Sequence, residues 1–495
     1  MFSGLTPADW GKGTIVHRAA SFSRFLSGTS AQVAIAARAL PLNRFEASRL
    51  SHPGPYRLAV GIADDYFDGT SSRDRVRRHF QIARQLGVKY LRCAFSWNAI
   101  EKSQGRYDWA FWDMLVAEAA HAHVQLIPYV AYTPKWAATR EKEFWAQPPR
   151  DPELYAHFMR QMVERYRGKI HAWEIWNEPD NLEYWQGSVE SYAELIRRAA
   201  MAMRGADPAA VLVLGGMSRG PGPFFRSLLE EYGLAGYVDV IAMHAYPESW
   251  DEERAETIYR DWAAQMANLI AREGQGDDFW INEMGYADYR FSPEQASRYS
   301  TSVFYDYEHT REYQADFLFK AEVMSAASPR VSLTAWYRID DFSPAKEHFS
   351  DDLVNYHLGL IDATGKKKPV FYALKFFLRL FSRPVSLVDT PFEQRNKAAS
   401  DSVVEVFRRT DGRIIVTGWL RSSLPSEVAR HSGMLQDKRH EKVSVTLPCK
   451  SIQHPHLYDV EGREVTGHAI FQNGRLKNVP LTGNKVFIEE MQCQD

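Results

Sequence analysis

The chain has 495 residues, enough to bury a large core and to form more than one domain. It is 45% hydrophobic and 25% charged, which excludes a disordered or low-complexity protein. A formal net charge of -2 offers nothing to a nucleic-acid polyanion or an acidic membrane as the main partner. The three cysteines, Cys93, Cys449 and Cys493, are too few and too scattered to predict a disulfide framework or a zinc site. Cys93 falls in an apolar run and reads as a small core residue.

Residues 1–55 form an extension that carries Lys12, Arg18, Arg24, Arg38 and Arg44 among many serines and alanines. Its longest apolar run, Val33 to Ala37, is too short for the core of a signal peptide, and Arg38 breaks it off. The extension could lend a strand to a β-domain. No stretch approaches the ~20 apolar residues that cross a bilayer, so a soluble protein without a membrane span is expected.

From residue 56 short apolar runs alternate with longer amphipathic segments. Strands are predicted at 56–63, 88–95, 124–131, 172–177, 210–216, 239–246, 278–283 and 331–337, with helices between them such as 72–87, 152–168 and 191–205. In the first helix Val76, Phe80, Ile82, Ala83 and Leu86 approximate one face, and Gly87 supplies the stop. Strand then helix, eight times over residues 56–380, is the pattern of a (β/α)₈ TIM barrel. A doubly wound open sheet is the alternative, but no glycine-rich phosphate loop follows the first strand to support it. Beyond residue 380 the segments shorten. "VVEVFRRTDGRIIVTGWL" (403–420) reads as two strands joined at Asp411-Gly412, and 443–448, 456–465 and 484–491 continue the pattern. Residues 381–495 are therefore predicted to form a C-terminal all-β, sandwich-like domain that packs against the barrel.

In a β/α barrel the chemistry sits at the carboxyl ends of the strands. Glu178 closes the fourth predicted strand and Glu283 the seventh. Either alone is most simply an ordinary strand-end carboxylate. Two such acids at the mouth of one barrel are what glycosidic bond cleavage needs: one protonates the leaving oxygen and the other attacks or supports the anomeric carbon. The run "HAWEIWNEPDN" (171–181) is also far from a generic strand ending, since Asn177 sets an amide beside Glu178 and Pro179 ends the strand at once. The chain holds 14 Trp, 24 Tyr and 27 Phe, and aromatic faces stack on the apolar faces of sugars, although most of these rings are core.

"EIWNEPD" after the fourth strand and "WINEMG" at the seventh resemble the retaining glycoside hydrolases of clan A, and most of all glycoside hydrolase family 39. Family 5 and neighbouring small families of the clan remain open. The resemblance spans roughly residues 56–380 and includes "WNAIEKSQGRYDW" (97–109), "YTPKWA" (132–137) and "HLGLIDATGKKKPVFYALK" (357–375), with "PLTGNKVFI" (480–488) in the β-domain. It implies that Glu178 is the general acid/base and Glu283 the nucleophile. "HAY" (244–246) matches the clan's His-x-Tyr and implies that Tyr246 hydrogen-bonds the nucleophile, with His244 in a supporting role. Arg92 matches the clan's arginine near the nucleophile, with a structural role as a buried partner of Glu174 compatible beside it. Trp336, at the end of strand eight, is implied as the sugar platform, with core filler as the plainer reading. Trp136, Trp97, Tyr286 and Tyr289 are further candidates to line the cleft. Asp64 and Asp65, after strand one, could bind a sugar hydroxyl or face solvent.

No His/Asp/Glu cluster with ligand spacing is visible, so neither metal nor cofactor is expected, and no Gly-x-Ser-x-Gly elbow suggests an esterase. The partner expected is an oligosaccharide or polysaccharide. The alternatives are a barrel that binds carbohydrate without turnover and a transglycosylase using the same residues. The catalytic pair does not choose the sugar. The tyrosine-rich loop 285–310 is expected to shape the cleft.

Overall fold

The computed structural model describes residues 54–247, 254–272, 279–288, 309–328, 330–342, 353–389, 392–394, 401–421, 437–467 and 469–494. Residues 1–53 of the N-terminal extension and most of loop 285–310, with Tyr289, lie outside them.

Eight parallel strands close into a barrel in chain order. They are β1 (Ala59–Ala63), β2 (Tyr90–Ser96), β3 (Gln125–Ala131), β4 (Ala172–Ile175), β5 (Val211–Met217), β6 (Val240–Ala245), β7 (Phe279–Met284) and β8 (Val331–Tyr337). The helices between them follow local rules. Helix Arg73–Leu86 starts where Ser72 accepts from the Arg75 amide and stops at left-handed Gly87, and it buries Val76, His79, Phe80, Ala83 and Leu86. Helix Pro152–Tyr166 is capped by Asp151 and opens on Pro152, whose missing N–H costs nothing in the first turn. Strand alternation sorts the side chains into two cores. Val60, Ile62, Leu91, Phe95 and Trp173 face the helices, while Ala63, Tyr90, Ile127, Ala172, Val213, Ala242 and Leu333 fill the barrel interior.

Beyond the last barrel helix, Pro369–Leu380, the chain forms two antiparallel sheets. The strands are β9 (Val385–Leu387), β10 (Phe392–Gln394), β11 (Ser402–Arg409), β12 (Arg413–Leu420), β13 (His440–Thr446), β14 (Ser451–Tyr458), β15 (Ile470–Gln472), β16 (Arg475–Thr482) and β17 (Phe487–Gln494). One sheet runs β14-β17-β12-β11-β9 and the other β10-β13-β16-β15, with Val406, Ile414, Val416, Val445, Leu476 and Leu481 between them. The hairpin at Asp411-Gly412 joins β11 to β12 as the sequence suggests. Tyr56 makes a single antiparallel bridge to Val385 on β9.

The β-sheets are fixed to the barrel by polar contacts that are themselves buried. The Lys320 ammonium donates to the Gly483 carbonyl at 2.9 Å, the Val486 amide to Asp316 at 2.9 Å, and the Trp419 indole N–H to Glu256 at 2.8 Å. Phe407, Ile415, Trp419 and Ile488 belong to the same apolar cluster as the barrel helices.

One expectation from the sequence needs correction. Cys449 and Cys493 form a disulfide across 44 residues, because the pairing of Ile452 with Cys493 on β17 carries the preceding turn alongside it. Two cysteines suffice when sheet register brings them together. Closing a loop of that length restricts the unfolded chain by about 4 kcal/mol in the entropy account. Cys493→Ser is thus expected to lower the urea midpoint of the β-domain's unfolding, and a reductant should reproduce the shift in the parent protein but not in the variant. Cys93 is buried and unpaired, as a core residue should be.

Candidate active site

The polar side chains converge at the carboxyl end of the barrel, and local backbone features aim them. Trp176 and Glu178 adopt left-handed φ values of 75° and 43°, uncommon for residues with a side chain. Trp176 is locked outward, its indole N–H donating to the Tyr184 carbonyl at 2.9 Å, and the Glu178 amide donates to the Gly216 carbonyl at 3.0 Å. Asn177 and Glu178 are thereby turned over the barrel mouth. On β7 the register with β8 shifts between Ile281 and Met284, and that with β6 between Met243 and His244. This bulge lets Asn282 and Glu283, consecutive residues, both face inward, which strict alternation forbids.

Arg92 on β2 ties the floor together. Its guanidinium donates to Glu174 at 2.7 and 3.0 Å, to Asn177 Oδ1 at 2.7 Å and to Glu283 Oε2 at 2.6 Å, and it lies over the Tyr129 ring at 4.3 Å. Glu174 is completed by the Asn282 amide at 2.9 Å and the Gly216 N–H at 2.9 Å. The structural and site-facing readings of Arg92 therefore hold at once. Tyr246 donates to Glu283 Oε1 at 2.6 Å, and His244 Nδ1 meets Glu178 Oε1 at 2.7 Å. Asn181 donates to the other oxygen of Glu178 at 3.2 Å. One polar atom each from Glu178, His244 and Glu283 lies within 4.8 Å of the other two.

These contacts push the two glutamates apart electrostatically. Burial raises the Glu178 carboxyl above the ordinary range, and Glu283 adds to that, while the His244 contact only partly opposes it. Burial also acts on Glu283, yet His244, Arg92 and the Tyr246 hydroxyl more than reverse it and hold that group below the ordinary range. His244 stands above its usual value: burial works against its charge, and the nearby Glu283 and Glu178 outweigh burial.

Gly216 makes this packing possible. A Cβ there would stand 2.2 Å from His244 Nε2 and 3.0 Å from Asn282 Oδ1. Gly216→Ala should displace the imidazole from Glu178 and destabilise the fold by about 1–3 kcal/mol through overpacking. His244 lowers both carboxyls, so both limbs of a pH–rate profile should move to higher pH in that variant.

Several residues singled out from sequence lie elsewhere. Trp336 is fully buried, donates to the Leu358 carbonyl at 3.1 Å and packs near Phe317 on the helix side of β8. Its neighbour Tyr337 has the inward phase, so Trp336 cannot be a sugar platform. Trp97 is sealed against Tyr155 and Phe158 with its N–H on Glu101, and Tyr286 is stacked between His309 and Phe317. Neither lines a cleft. Trp136 is partly exposed, but its N–H is committed to the Glu101 carbonyl at 2.7 Å and its ring meets Trp97 edge-on at 5.9 Å. Asp64 is buried against Arg338 at 3.3 Å and His79 at 3.5 Å, facing away from the site.

Other groups complete the site, of which Tyr132 opens "YTPKWA" while Phe67, Tyr129 and Tyr184 belong to no motif in the sequence. Tyr129 donates to Asp65 at 2.7 Å. Phe67, Tyr132 and Tyr184 form a row with ring separations of 5.9 and 6.5 Å, and burial, then Glu178, hold the Tyr184 phenol well above its ordinary range. Each lies near or beyond a strand end, and that position is the one signal that could have found it. Among the described residues three clusters have the spacing of metal ligands: Glu178-His244-Glu283, Asp64-His79-Asp340 and Asp288-Asp341-His357. In each a side-chain cation already holds a carboxylate, Arg92 in the first, Arg338 in the second and Lys368 in the third.

A closed β/α barrel with glutamates at the mouths of β4 and β7, one bonded to His244 and the other to Arg92 and Tyr246, defines a protein of the clan A glycoside hydrolase type. The family model for glycosyl hydrolases family 39 matches residues 68–447, and the chain belongs to that family. A β-xylosidase of Caldicellulosiruptor saccharolyticus is 23% identical over 239 residues, which is 46% of each chain, so the match spans about half of that relative's length. Among solved structures, a family 39 glycoside hydrolase of Bacteroides cellulosilyticus WH2 superposes with a TM-score of 0.63 at 15% identity, over 88% of this chain and 81% of that one. A monomeric β-xylosidase of Caulobacter crescentus CB15 gives 0.58 at 15% identity over 90% and 98%. A family 30 xylanase of Clostridium acetobutylicum gives 0.57 at 12% identity over 89% and 97%. At these identities the structures speak for the fold alone. No helix among the described residues is long and apolar enough to cross a membrane.

Proposed function

We propose that the chain hydrolyses O-glycosidic bonds of an oligosaccharide or polysaccharide by double displacement, with Glu283 as nucleophile and Glu178 as general acid/base. The observation that carries the reading is the approach of the two carboxyls. Oxygens within 4.8 Å fit the roughly 5–5.5 Å spacing of a retaining pair and leave no room for the water that an inverting pair, about 6.5–9.5 Å apart, must hold between them. The electrostatics support the same division of labour. Glu283 is kept ionised and hydrogen-bonded, as an attacking carboxylate must be, and Glu178 is kept protonated to a higher pH, as the proton donor must be.

In the first step Glu283 Oε attacks the anomeric carbon, the glycosidic bond breaks, and Glu178 delivers its proton to the leaving oxygen. In the second, Glu178 takes a proton from water, whose oxygen displaces Glu283 and restores both carboxyls. Asn177 Oδ1 is occupied by Arg92, which leaves its amide hydrogens for a sugar hydroxyl. Tyr184, whose hydroxyl is raised by burial and then by Glu178, stands on the Glu178 side and would receive the departing sugar.

β-Xylosides are the first substrates to try, given the relatives above. Monitoring the first-formed anomer by NMR tests the reading: release of the anomer with the substrate's own configuration is expected, and an inverted first product would overturn it. A 2-fluoroglycoside should leave a covalent label on Glu283.

A further inference from the structure

We propose that Asp65 is the specificity-determining residue of this site, accepting hydrogen bonds from hydroxyls of a neutral sugar bound against Glu283 and turning away sugars that carry a carboxylate. The proposal rests on the reading of Glu178 and Glu283 given above and names the class of sugar they act on.

Asp65 lies two residues beyond Ala63, whose side chain belongs to the barrel interior, so alternation returns it to the axis while Asp64 points away to Arg338 and His79. Tyr129, two strands along on β3, donates to Asp65 Oδ1 at 2.7 Å. The face of that same ring carries the Arg92 guanidinium, which in turn holds Glu283. Asp65 is thus joined to the Glu283 side of the cleft through a rigid chain of two residues. The Tyr129 bond fixes the carboxyl's orientation and occupies one oxygen. The other, Oδ2, makes no hydrogen bond to any described residue, and the side chain is only half-buried.

A carboxyl in that state lacks donors. The cations that act on it are engaged elsewhere: Arg92 by Glu174, Asn177 and Glu283, and Arg338 by Asp64. Burial and then Glu283 push Asp65 up to about 7 against the weaker opposition of Tyr129, Arg92 and Arg338, so its charge is poorly stabilised in the free protein. Sugar hydroxyls supply the missing donors, and hydrogen bonds to a charged acceptor are the stronger kind. A uronic acid would instead bring a third negative group towards Asp65 and Glu283.

The test uses 4-nitrophenyl β-xyloside, β-glucoside and β-glucuronide and a set of monodeoxy xylosides, with the parent protein, Asp65→Ala and the near-isosteric Asp65→Asn. Asp65→Ala should lower kcat/KM on the neutral glycosides by about 10- to 100-fold, the value of one or two charged hydrogen bonds. That loss should nearly vanish on the deoxy analogue that lacks the partner hydroxyl. In Asp65→Asn, which keeps an acceptor for Tyr129 but removes the charge, the glucuronide-to-glucoside ratio of kcat/KM should rise by about tenfold or more. An equal loss on every deoxy analogue, or an unchanged ratio in Asp65→Asn, would overturn the proposal. If the parent turns over none of these substrates, the hydrolase reading fails separately. Calorimetric binding of methyl β-xyloside, its deoxy analogues and methyl β-glucuronide then decides the role of Asp65 by the same comparisons.

Discussion

Glu283→Ala is expected to reduce kcat/KM on an aryl β-glycoside by about 10⁵-fold or more, because it removes the atom that forms the covalent bond. The fold should survive, since Arg92 keeps its bidentate contact with Glu174 and its bond to Asn177. The space vacated beside the anomeric carbon can admit a small anion. Added azide should therefore attack from the face that Glu283 occupied, while Glu178 still protonates the leaving oxygen, and the glycosyl azide formed should have inverted configuration. That outcome distinguishes a nucleophile from a residue that merely shapes the cleft. A variant that retains a tenth of parental turnover, or an azide product of retained configuration, would remove Glu283 from the role.

Much of the barrel was legible because parallel strands are buried on both faces, so each announces itself as an unbroken apolar run. The predicted segment 331–337 coincides with β8, and 88–95 differs from β2 by two residues at its start and one at its end. Charged residues in such runs stand out, and Arg92, Glu174, Asn177, Glu178, His244, Tyr246 and Glu283 are brought into one network. Phase was much harder to read. Whether a strand-end aromatic points to the axis or to the helices changes with a slip of one residue, so Trp336 could be assigned to the cleft while Tyr337, next to it, faces inward. The bulge that turns both Asn282 and Glu283 inward has no signature in "WINEMG". Trp97 and Tyr286 are aromatic residues just beyond strand ends near the mouth, but their partners Phe158 and Phe317 come from helices far along the chain. The partners of Cys449, Gly216 and Asp65 are equally non-local. The strands β9, β15 and β16 are short or polar, Pro480 among them, and carry little periodic signal.

Glu178→Ala should show a different pattern, and the difference separates the two glutamates. Loss of the proton donor costs about 10²–10⁴-fold when the leaving group is a sugar that cannot depart as an anion. An activated nitrophenol needs no proton, so its release should continue until the glycosyl-enzyme accumulates. Steady turnover should then be limited by the second step, with a burst of nitrophenol and a lowered KM. Azide, which needs no base, should accelerate that step and yield a glycosyl azide of retained configuration. The pH dependence carries the same information. In the parent, activity should rise with pH as Glu283, held low by His244, Arg92 and Tyr246, ionises, and fall as Glu178, raised first by burial and further by Glu283, loses its proton. In Glu178→Ala the falling limb should vanish for nitrophenyl substrates and the rising limb should remain. It should stay near its parental position, because Glu178 is protonated and neutral over the range in which Glu283 ionises, and Arg92 and Tyr246 still hold Glu283 low. A bell-shaped profile that persists unchanged in the variant would show that some other group donates the proton.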